Sequence, residues 1–352
     1  MTTADALPAS SLDLAQEAIS SPRIGAGFAS LGAAVPKRIL TNAELAEMVE
    51  TSDEWIRSRT GIEQRHVAGP DEFTSDLAVA ASLDALRRSP FTAEQIDLVL
   101  CATTSGDYLW PATASLVQHR IGARRAAAFD VAAACSGFCC AVATAAAWIR
   151  SNDADTVLVV GADTLTKQLN WRDRATCVLF GDGAGAAVMT ACSPDEGVLA
   201  SVLGSDGAGV EQVWIPAGGT REPITPEGLV AGRNRIHMRG ADVYRFAVEV
   251  VPRVTQQALE RANLTLEDVD LLVLHQANIR IMHAAADRLG IRRERVYTNL
   301  QRYGNTSAAS IPIALNEAAR DGMLPRGSIV VTVGFGSGLS WGANVIRWGG
   351  GV

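Results

Sequence analysis

The segment DALRRSPFTAEQIDLVLCATT, residues 84–104, decides the fold because the chain repeats it as QALERANLTLEDVDLLVLHQA at 257–277. Seven positions are identical, and each lies 173 residues from its partner, as Ala258 does from Ala85. A second pair of segments, DTVLVVGAD from Asp155 and GSIVVTVGFG from Gly327, agrees with this spacing within one residue. Solenoid repeats are about 20 to 50 residues long, so self-similarity at this greater length predicts two copies of one domain.

Each copy has the same coarse order of elements: a helix, a short apolar strand, an apolar helix and a second apolar strand. Near-continuous apolar strands that alternate with helices indicate sheets covered on both faces, with mostly parallel strands. We therefore predict an α/β protein with the five layers α/β/α/β/α, built from two duplicated halves with mixed, mostly parallel sheets. The halves are expected at residues 23–195 and 196–352, after a polar N-terminal extension, residues 1–22, whose composition is compatible with disorder.

Composition and charge exclude several classes of protein. The chain has 352 residues, 48% of them hydrophobic, which is enough for two cores. Its formal net charge of −7 argues against a general nucleic-acid-binding protein. The six cysteines show no paired C-x-x-C spacing, so a disulfide scaffold and a zinc site are not indicated. Residues 1–22 lack the features of a secretory signal or a membrane span, so we expect a cytoplasmic protein that does not enter the membrane.

Basic residues are nevertheless clustered in the second half. The stretch 280–295 contains five arginines against one aspartate and one glutamate. A solvated helix face and a site for an anionic partner both remain open for this stretch.

Cys135 is the best candidate for a reactive group. It lies in FDVAAACSGF, residues 129–138, where an apolar extended run turns directly into a strong helix former. The unpaired N–H groups and the macrodipole at a helix N-terminus favour negative charge, so we expect a lowered thiol pKa and a nucleophilic thiolate. The alternative is a buried and inert cysteine.

Two polar residues of the second half could act with this thiol. His275 directly follows the strand LLVL, at a strand end where reacting groups are commonly placed. Asn305 lies in RYGNTSAASIPIAL, in a loop that opens an apolar helix. From the residues alone, His275 could instead be a satisfied core histidine, and Asn305 could be an N-cap.

Taken together, these motifs resemble one family. The segments AAACSGF, HQAN, GNTSAAS, GFGSGLSWG at 334–342, TSDEWIRSRTGI at 51–62 and FGDGAGAAV at 180–188 are similar to those of the β-ketoacyl-acyl-carrier-protein synthase III family, in the thiolase superfamily. The resemblance covers about residues 24 to 348 and implies two thiolase-like halves. It assigns catalysis to Cys135, His275 and Asn305, and the oxyanion hole to the backbone N–H groups of Cys135 and Ser337.

The resemblance also implies a reaction. Acyl-CoA, with a short chain such as acetyl, would acylate Cys135. Decarboxylative Claisen condensation with malonyl-acyl-carrier protein would then give 3-ketoacyl-acyl-carrier protein, CoA and carbon dioxide, the first condensation of fatty-acid synthesis. No metal and no organic cofactor is expected, because the CoA thioesters are substrates, and the expected assembly is a homodimer.

Further residues are assigned by the same resemblance. The CoA-binding residues would be Trp55, Arg59, Thr60, Arg174, Gly240 and Asn278. The acyl pocket would include Phe180 and Trp110, the latter from the partner subunit, and a ring of that size suggests a short starter. The basic patch for the acidic carrier protein would consist of Arg245, Arg280 and Arg288.

Two departures from the family pattern concern the site. Ser337 stands where glycine is common, which matters if the loop needs a positive φ there, and Ala241 replaces an asparagine that grips pantetheine in some members. A starter-unit ketosynthase or acyltransferase of a polyketide pathway is the nearest alternative function. A non-catalytic scaffold that binds CoA or an acyl carrier is the alternative of another class.

Overall fold

Two large β-sheets, with helices between them and on their outer faces, form the body of the chain in the computed structural model, which describes residues 24–350 and also contains two two-stranded sheets. The predicted polar extension at residues 1–22 lies outside the described residues. The strands are β1 (Gly25–Ala34), β2 (Ile39–Thr41), β3 (Gln64–His66), β4 (Leu98–Ala102), β5 (Ala127–Val131), β6 (Thr156–Asp163), β7 (Gly183–Cys192), β8 (Gly197–Ser205), β9 (Val213–Trp214), β10 (His237–Met238), β11 (Leu271–Leu274), β12 (Ile329–Gly336) and β13 (Ser340–Arg347).

The helices lie between these strands in the alternating order that the sequence predicts. They are α1 (Asn42–Met48), α2 (Asp53–Thr60), α3 (Thr74–Arg88), α4 (Thr113–Ile121), α5 (Gly137–Arg150), α6 (Arg174–Cys177), α7 (Pro226–Val230), α8 (Gly240–Arg261), α9 (Ile279–Leu289), α10 (Leu300–Tyr303) and α11 (Ser310–Arg320). Short 3-10 turns precede two of them, Ala134–Ser136 before α5 and Ser307–Ala309 before α11.

The first sheet has the strand order β1-β7-β6-β4-β5 and the second has the order β11-β12-β13-β8. The pairs β4–β5, β4–β6 and β11–β12 are parallel, whereas β1–β7, β6–β7, β12–β13 and β13–β8 are antiparallel. The sheets are therefore mixed, as predicted, but more evenly than the sequence suggested. Antiparallel pairing arises where a strand returns directly, since only residues 337–339 join β12 to β13 and a parallel connection needs a long crossover.

Three hydrophobic cores hold the five layers together, one between the two large sheets and one on the outer face of each. In β4, Leu98 faces the core between the two sheets, whereas Val99 packs under α3 and α4 on the outside. In β11, Leu271 faces the same central core, whereas Leu272 packs under α8 and α9. Successive side chains of a strand point to opposite faces, so strands that are apolar on both faces must be covered twice. The predicted five-layer α/β fold is confirmed.

The internal repeat extends to the detailed geometry. Strands β4 and β11 start 173 residues apart, as do β6 and β12, and so do helices α5 and α11. The turns before those helices each contain a residue with left-handed backbone, Ala134 with φ of 46° and Ser307 with φ of 52°. The predicted boundary at residues 195/196 falls between β7 and β8, which belong to different sheets. The two turns lie near each other, and the candidate site is built around them.

Candidate active site

Cys135 lies in the turn between β5 and α5, against strand β12 of the other half. Two glycines of that strand leave room for it. A Cβ on Gly336 would lie 2.9 Å from the Cβ and 3.0 Å from the Sγ of Cys135, and a Cβ on Gly334 would lie 2.9 Å from the carbonyl oxygen of Cys135. The left-handed Ala134 completes the turn. The close approach of turn and strand therefore depends on two residues without side chains.

The Cys135 thiol is protonated near neutral pH. Burial raises its pKa to about 12, and Asp163 acts in the same direction, while the hydrogen bond from Sγ to the Ser307 Oγ, 3.5 Å long, lowers it. The sequence-based prediction of a lowered pKa is corrected here, because enclosure of the sulfur by the second half outweighs the favourable position at a helix start. The thiol must lose its proton when it is acylated.

His275 follows β11, and its backbone N–H donates to the carbonyl of Val333 over 2.8 Å. Burial lowers the pKa of its imidazole to about 3, so the ring is neutral. Its Nδ1 lies 2.7 Å from the Ser310 Oγ, which also accepts the N–H of Gln276 over 3.4 Å. Within residues 24–350 the Ser310 hydroxyl hydrogen has no other acceptor, so we assign it to Nδ1. The ring proton is then on Nε2, the nitrogen that remains for the cavity.

Asn305 is fixed by its backbone and by one side-chain atom. Its N–H donates to the carbonyl of Leu179 over 2.8 Å, and its carbonyl accepts the N–H of Gly181 over 3.0 Å. The side-chain Oδ1 accepts the N–H of Ser307 over 2.9 Å. The amide oxygen therefore holds the turn, which leaves Nδ2 as a donor for the cavity. The N-cap alternative is wrong, because Thr306 is the N-cap residue of the Ser307–Ala309 turn and Ala309 is that of α11.

The three predicted catalytic residues line one channel. Cys135, His275 and Asn305 border a cavity of about 140 Å³, together with Gly240 and Asn278. An adjoining chamber of about 240 Å³ is lined by mainly apolar side chains, among them Leu165, Phe180, Val213, Ile215 and Ile236. Cys135, Phe180, Val213 and Ser337 border both spaces. The sulfur thus lies where a chamber suited to an acyl chain meets a channel lined by hydrogen-bond donors.

The predicted CoA-binding residues come together at the outer end of this channel. A cleft of about 550 Å³ is lined by all six, Trp55, Arg59, Thr60, Arg174, Gly240 and Asn278, and by Arg245 and Arg280 of the predicted basic patch. The guanidinium of Arg174 lies 4.8 Å from the ring centroid of Trp55. These two side chains therefore make a cation–π contact with each other.

Two predicted residues lie apart from these spaces. Arg288 does not line the cleft, and its Nη1 donates to the carbonyl of Val248 over 2.9 Å. Trp110 is 85% exposed and lines neither the chamber nor the channel of its own chain. The role of Trp110 in the acyl pocket of a partner subunit stays a prediction.

The predicted oxyanion donors are available. Within residues 24–350, the backbone N–H groups of Cys135 and Ser337 donate to no backbone carbonyl. Ser337 is not among the described residues with positive φ, and its Oγ donates to the carbonyl of Val213 over 2.5 Å. Serine in place of the usual glycine therefore causes no backbone strain at this position.

Several residues around the site were not found from the sequence. Ser307 and Ser310 contact Cys135 and His275, and the buried Asp163 joins the halves. Asp163 Oδ1 accepts the N–H groups of Thr104 and Ser105 over 2.9 and 3.1 Å, and its Oδ2 accepts the N–H of Ala308 over 3.2 Å. The 173-residue spacing, extended from the strands to the turns, would have pointed to Ser307, because it corresponds to Ala134.

Among residues 24–350, no group of three or more histidine, cysteine or acidic side chains is placed to hold a metal ion. No helix in the same range has the length and apolar character needed to cross a membrane.

The chain is similar to known proteins of one family. The profile described as 3-oxoacyl-[acyl-carrier-protein] synthase III matches residues 129–207, and its C-terminal counterpart matches residues 259–348. A β-ketoacyl-[acyl-carrier-protein] synthase III of Symbiobacterium thermophilum is 52% identical over 92% of this chain and 98% of its own length.

Solved structures show the same fold. The β-ketoacyl-[acyl-carrier-protein] synthase III of Thermus thermophilus has a TM-score of 0.87 at 48% identity, over 92% of this chain and 99% of that one. The priming β-ketosynthase of the R1128 polyketide biosynthetic pathway also has a TM-score of 0.87, at 34% identity over 93% of this chain and 97% of that one.

The duplicated five-layer fold, with a cysteine facing a histidine and an asparagine, defines a condensing enzyme of the acyltransferase type with the thiolase fold. At this identity and coverage the family is settled as well. The chain belongs to the β-ketoacyl-[acyl-carrier-protein] synthase III family.

Proposed function

We propose that this enzyme starts fatty-acid synthesis by condensing a short acyl group from CoA with malonyl-acyl-carrier protein. The observation that carries the proposal is the position of Cys135, between an apolar chamber and a channel lined by His275 and Asn305. The acyl group would occupy the chamber. CoA, and afterwards the carrier-protein arm, would enter through the channel.

In the first half-reaction, Cys135 attacks the thioester carbonyl of acyl-CoA. The backbone N–H groups of Cys135 and Ser337 stabilise the resulting oxyanion, since neither donates to a backbone carbonyl within residues 24–350. Removal of one such donor typically costs about 3 kcal/mol of transition-state stabilisation. The C–S bond to CoA breaks, and CoA leaves as the thiol.

In the second half-reaction, the thioester carbonyl of the malonyl group accepts hydrogen bonds from His275 Nε2 and Asn305 Nδ2. As carbon dioxide departs, negative charge develops on that carbonyl oxygen, and the two donors stabilise it. The α-carbon attacks the acyl group on Cys135, and the C–S bond to the cysteine breaks. Because the thioester itself accommodates the charge, the step requires neither a metal nor an organic cofactor.

The outer cleft supports binding of CoA and of an acidic carrier. Trp55 and Arg174 would separate to take the adenine ring between them, a geometry suited to stacking and cation–π contact. Arg59, Thr60, Gly240 and Asn278 would contact the nucleotide and the pantetheine arm. Arg245, Arg280 and Arg288 form the proposed surface for the carrier protein, which would explain basic clustering on a chain with a net charge of −7.

The proposed assembly is a homodimer in the cytoplasm. Strand β5 is an edge strand of the first sheet, and Tyr108, Leu109 and Trp110 expose large apolar side chains. Exposed apolar patches and unpaired sheet edges are common sites of association. Closure of the partner's acyl pocket by Trp110 would leave room for a short starter such as acetyl.

Intact-protein mass spectrometry after incubation with competing acetyl-, isobutyryl- and octanoyl-CoA tests the function. We expect one acetyl group on Cys135, followed by its loss and carbon dioxide release when malonyl-acyl-carrier protein is added. Cys135→Ala should carry no acyl group and should condense at least about a thousandfold more slowly.

Cys140→Ala is the matched control, because Cys140 lies five residues further on and lines neither cavity. It should be acylated as the natural chain is. Normal condensation by Cys135→Ala would overturn the proposal. Preferential labelling by isobutyryl- or octanoyl-CoA would overturn the short unbranched starter alone.

A further inference from the structure

Acylation of Cys135 requires that the thiol proton leave, and the obvious acceptors near it are already engaged. The titratable groups that face Cys135 from neighbouring strands are His275 after β11 and Asp163 at the end of β6. His275 is neutral with its proton on Nε2, and burial holds its pKa near 3. Both carboxylate oxygens of Asp163 accept hydrogen bonds from other groups. Neither group is arranged to take the proton.

The hydroxyl of Ser307 is placed differently. Its Oγ accepts from the Cys135 Sγ over 3.5 Å, and the residue is 1% exposed. Ser307 lines the apolar chamber and does not border the channel, but it lies beside Cys135, where the two spaces meet and where the thioester carbon and its CoA sulfur must approach the attacking Sγ. Within residues 24–350, the hydroxyl hydrogen of Ser307 has no protein acceptor. The side chain can therefore accept a proton from the sulfur while it donates its own into the chamber.

We propose that Ser307 is a catalytic residue that relays the thiol proton of Cys135 to the departing CoA. The inference rests on the function proposed above. As Sγ bonds to the acyl carbon, the S–H bond breaks and its proton moves to Ser307 Oγ. The original hydroxyl proton moves to the sulfur of CoA as the C–S bond to CoA breaks. One thiol is consumed and one is released, so the step balances without another reactant.

The internal repeat supplies a variant that the fold accommodates. Ser307 has a φ of 52°, and its counterpart in the first half is Ala134, with a φ of 46°. Alanine therefore already occupies this conformation at the equivalent position of the same protein. The orientation of Asn305 also survives, because Asn305 Oδ1 is held by the backbone N–H of residue 307 and not by its side chain.

The test is the pH dependence of single-turnover acylation by acetyl-CoA, followed by quenched-flow mass spectrometry between pH 7 and 9. At pH 7, Ser307→Ala should be acylated about 100-fold more slowly than the natural chain, a usual contribution of general acid–base catalysis. Without the relay, attack depends on the small thiolate fraction, so the rate of the variant should rise about tenfold for each pH unit. The natural chain should show a much flatter profile.

The test has a contradicting outcome, a second variant and a control. A constant factor between the two profiles at every pH would mean that Ser307 has only a structural role and would overturn the proposal. If Ser307→Ala does not fold, Ser307→Gly removes the same hydroxyl and adopts a positive φ without cost. Ser82→Ala, which removes a buried hydroxyl within α3, should follow the profile of the natural chain. Failure of the natural chain to be acylated would contradict the proposed function, and the Ser307 relay with it. Normal acylation of the natural chain, with parallel profiles for the two proteins, would contradict the relay alone.

Discussion

The two turns at the centre of the molecule, Ala134–Ser136 and Ser307–Ala309, share one backbone and carry different chemistry. Each contains a left-handed residue, and each opens an apolar helix. Each also packs on a glycine in a strand of the opposite half. A Cβ on Gly334 would meet the carbonyl of Cys135 at 2.9 Å, and a Cβ on Gly161 would meet the carbonyl of Ala308, the counterpart of Cys135, at 2.3 Å.

The side chains at equivalent places differ. Cys135 corresponds to Ala308, and Gly336, which leaves space for the sulfur, corresponds to Asp163, which accepts the N–H of Ala308. In the proposed reaction the first turn holds the nucleophile, Cys135, and the second turn holds Ser307, the proposed proton relay. A symmetric scaffold brings the two turns together, and the proposed reaction depends on positions where the copies have diverged.

Among substitutions that leave the reacting side chains in place, Gly336→Ala should have the largest effect on acylation, because it fills the space that the first turn needs for the sulfur of Cys135. Its Cβ would lie 2.9 Å from the Cβ of Cys135, closer than real Cβ atoms approach, so the cysteine must move. Displacement of a reacting group by about 1 Å can cost roughly 100-fold in rate. We expect acylation by acetyl-CoA to fall by about that factor, measured in single-turnover experiments.

Gly207→Ala serves as the control for this substitution, because a Cβ there would meet nothing within 4 Å. It should be acylated at the rate of the natural chain. Normal acylation of Gly336→Ala would contradict the explanation that a glycine is needed at position 336 to leave space for the Cys135 sulfur. The difference between Gly336 and its counterpart Asp163 would then not explain the difference between the two turns.

Ser310→Ala tests how the first residue of α11, directly after the second turn, orients His275. Without the hydroxyl at 2.7 Å, Nδ1 can carry the ring proton, and Nε2 then presents a lone pair where the enolate oxygen needs a donor. The net value of such a hydrogen bond is about 1 to 1.5 kcal/mol. We expect kcat for malonyl-acyl-carrier-protein decarboxylation to fall about tenfold, with KM nearly unchanged.

The same variant should be acylated within about twofold of the natural rate, since Ser310 does not contact Cys135. The two half-reactions can be measured separately on one preparation, as acyl mass and as carbon dioxide release. Equal loss in both would indicate a disturbed fold and would contradict a specific effect on the imidazole.

The strand pattern and the repeat were sufficient to predict the layers, and they placed Cys135 and His275 at the ends of elements. These features follow from local apolar periodicity, which a sequence displays directly. The protonated state of the thiol was predicted incorrectly, because burial of the sulfur depends on packing by the other half, far away in the chain. Ser310 was missed for a similar reason, since the hydrogen bond to His275 spans 35 residues and its residue type is common.

Arg174→Ala should have the smallest effect, because the outer cleft contributes binding and no chemistry. The guanidinium of Arg174 lies 4.8 Å from the Trp55 centroid, and Nη1 donates to the carbonyl of Glu50 over 3.0 Å. A cation–π contact of about 1 kcal/mol corresponds to an increase of roughly fivefold in the KM for acetyl-CoA, with kcat unchanged. Acetyl-pantetheine lacks the nucleotide, so the KM of Arg174→Ala for this substrate should not change. Arg172 is exposed, and Arg172→Ala is the control variant, which should show the KM of the natural chain for acetyl-CoA and for acetyl-pantetheine. An equal increase in the KM for acetyl-pantetheine would show that Arg174 acts inside the channel and not at the nucleotide.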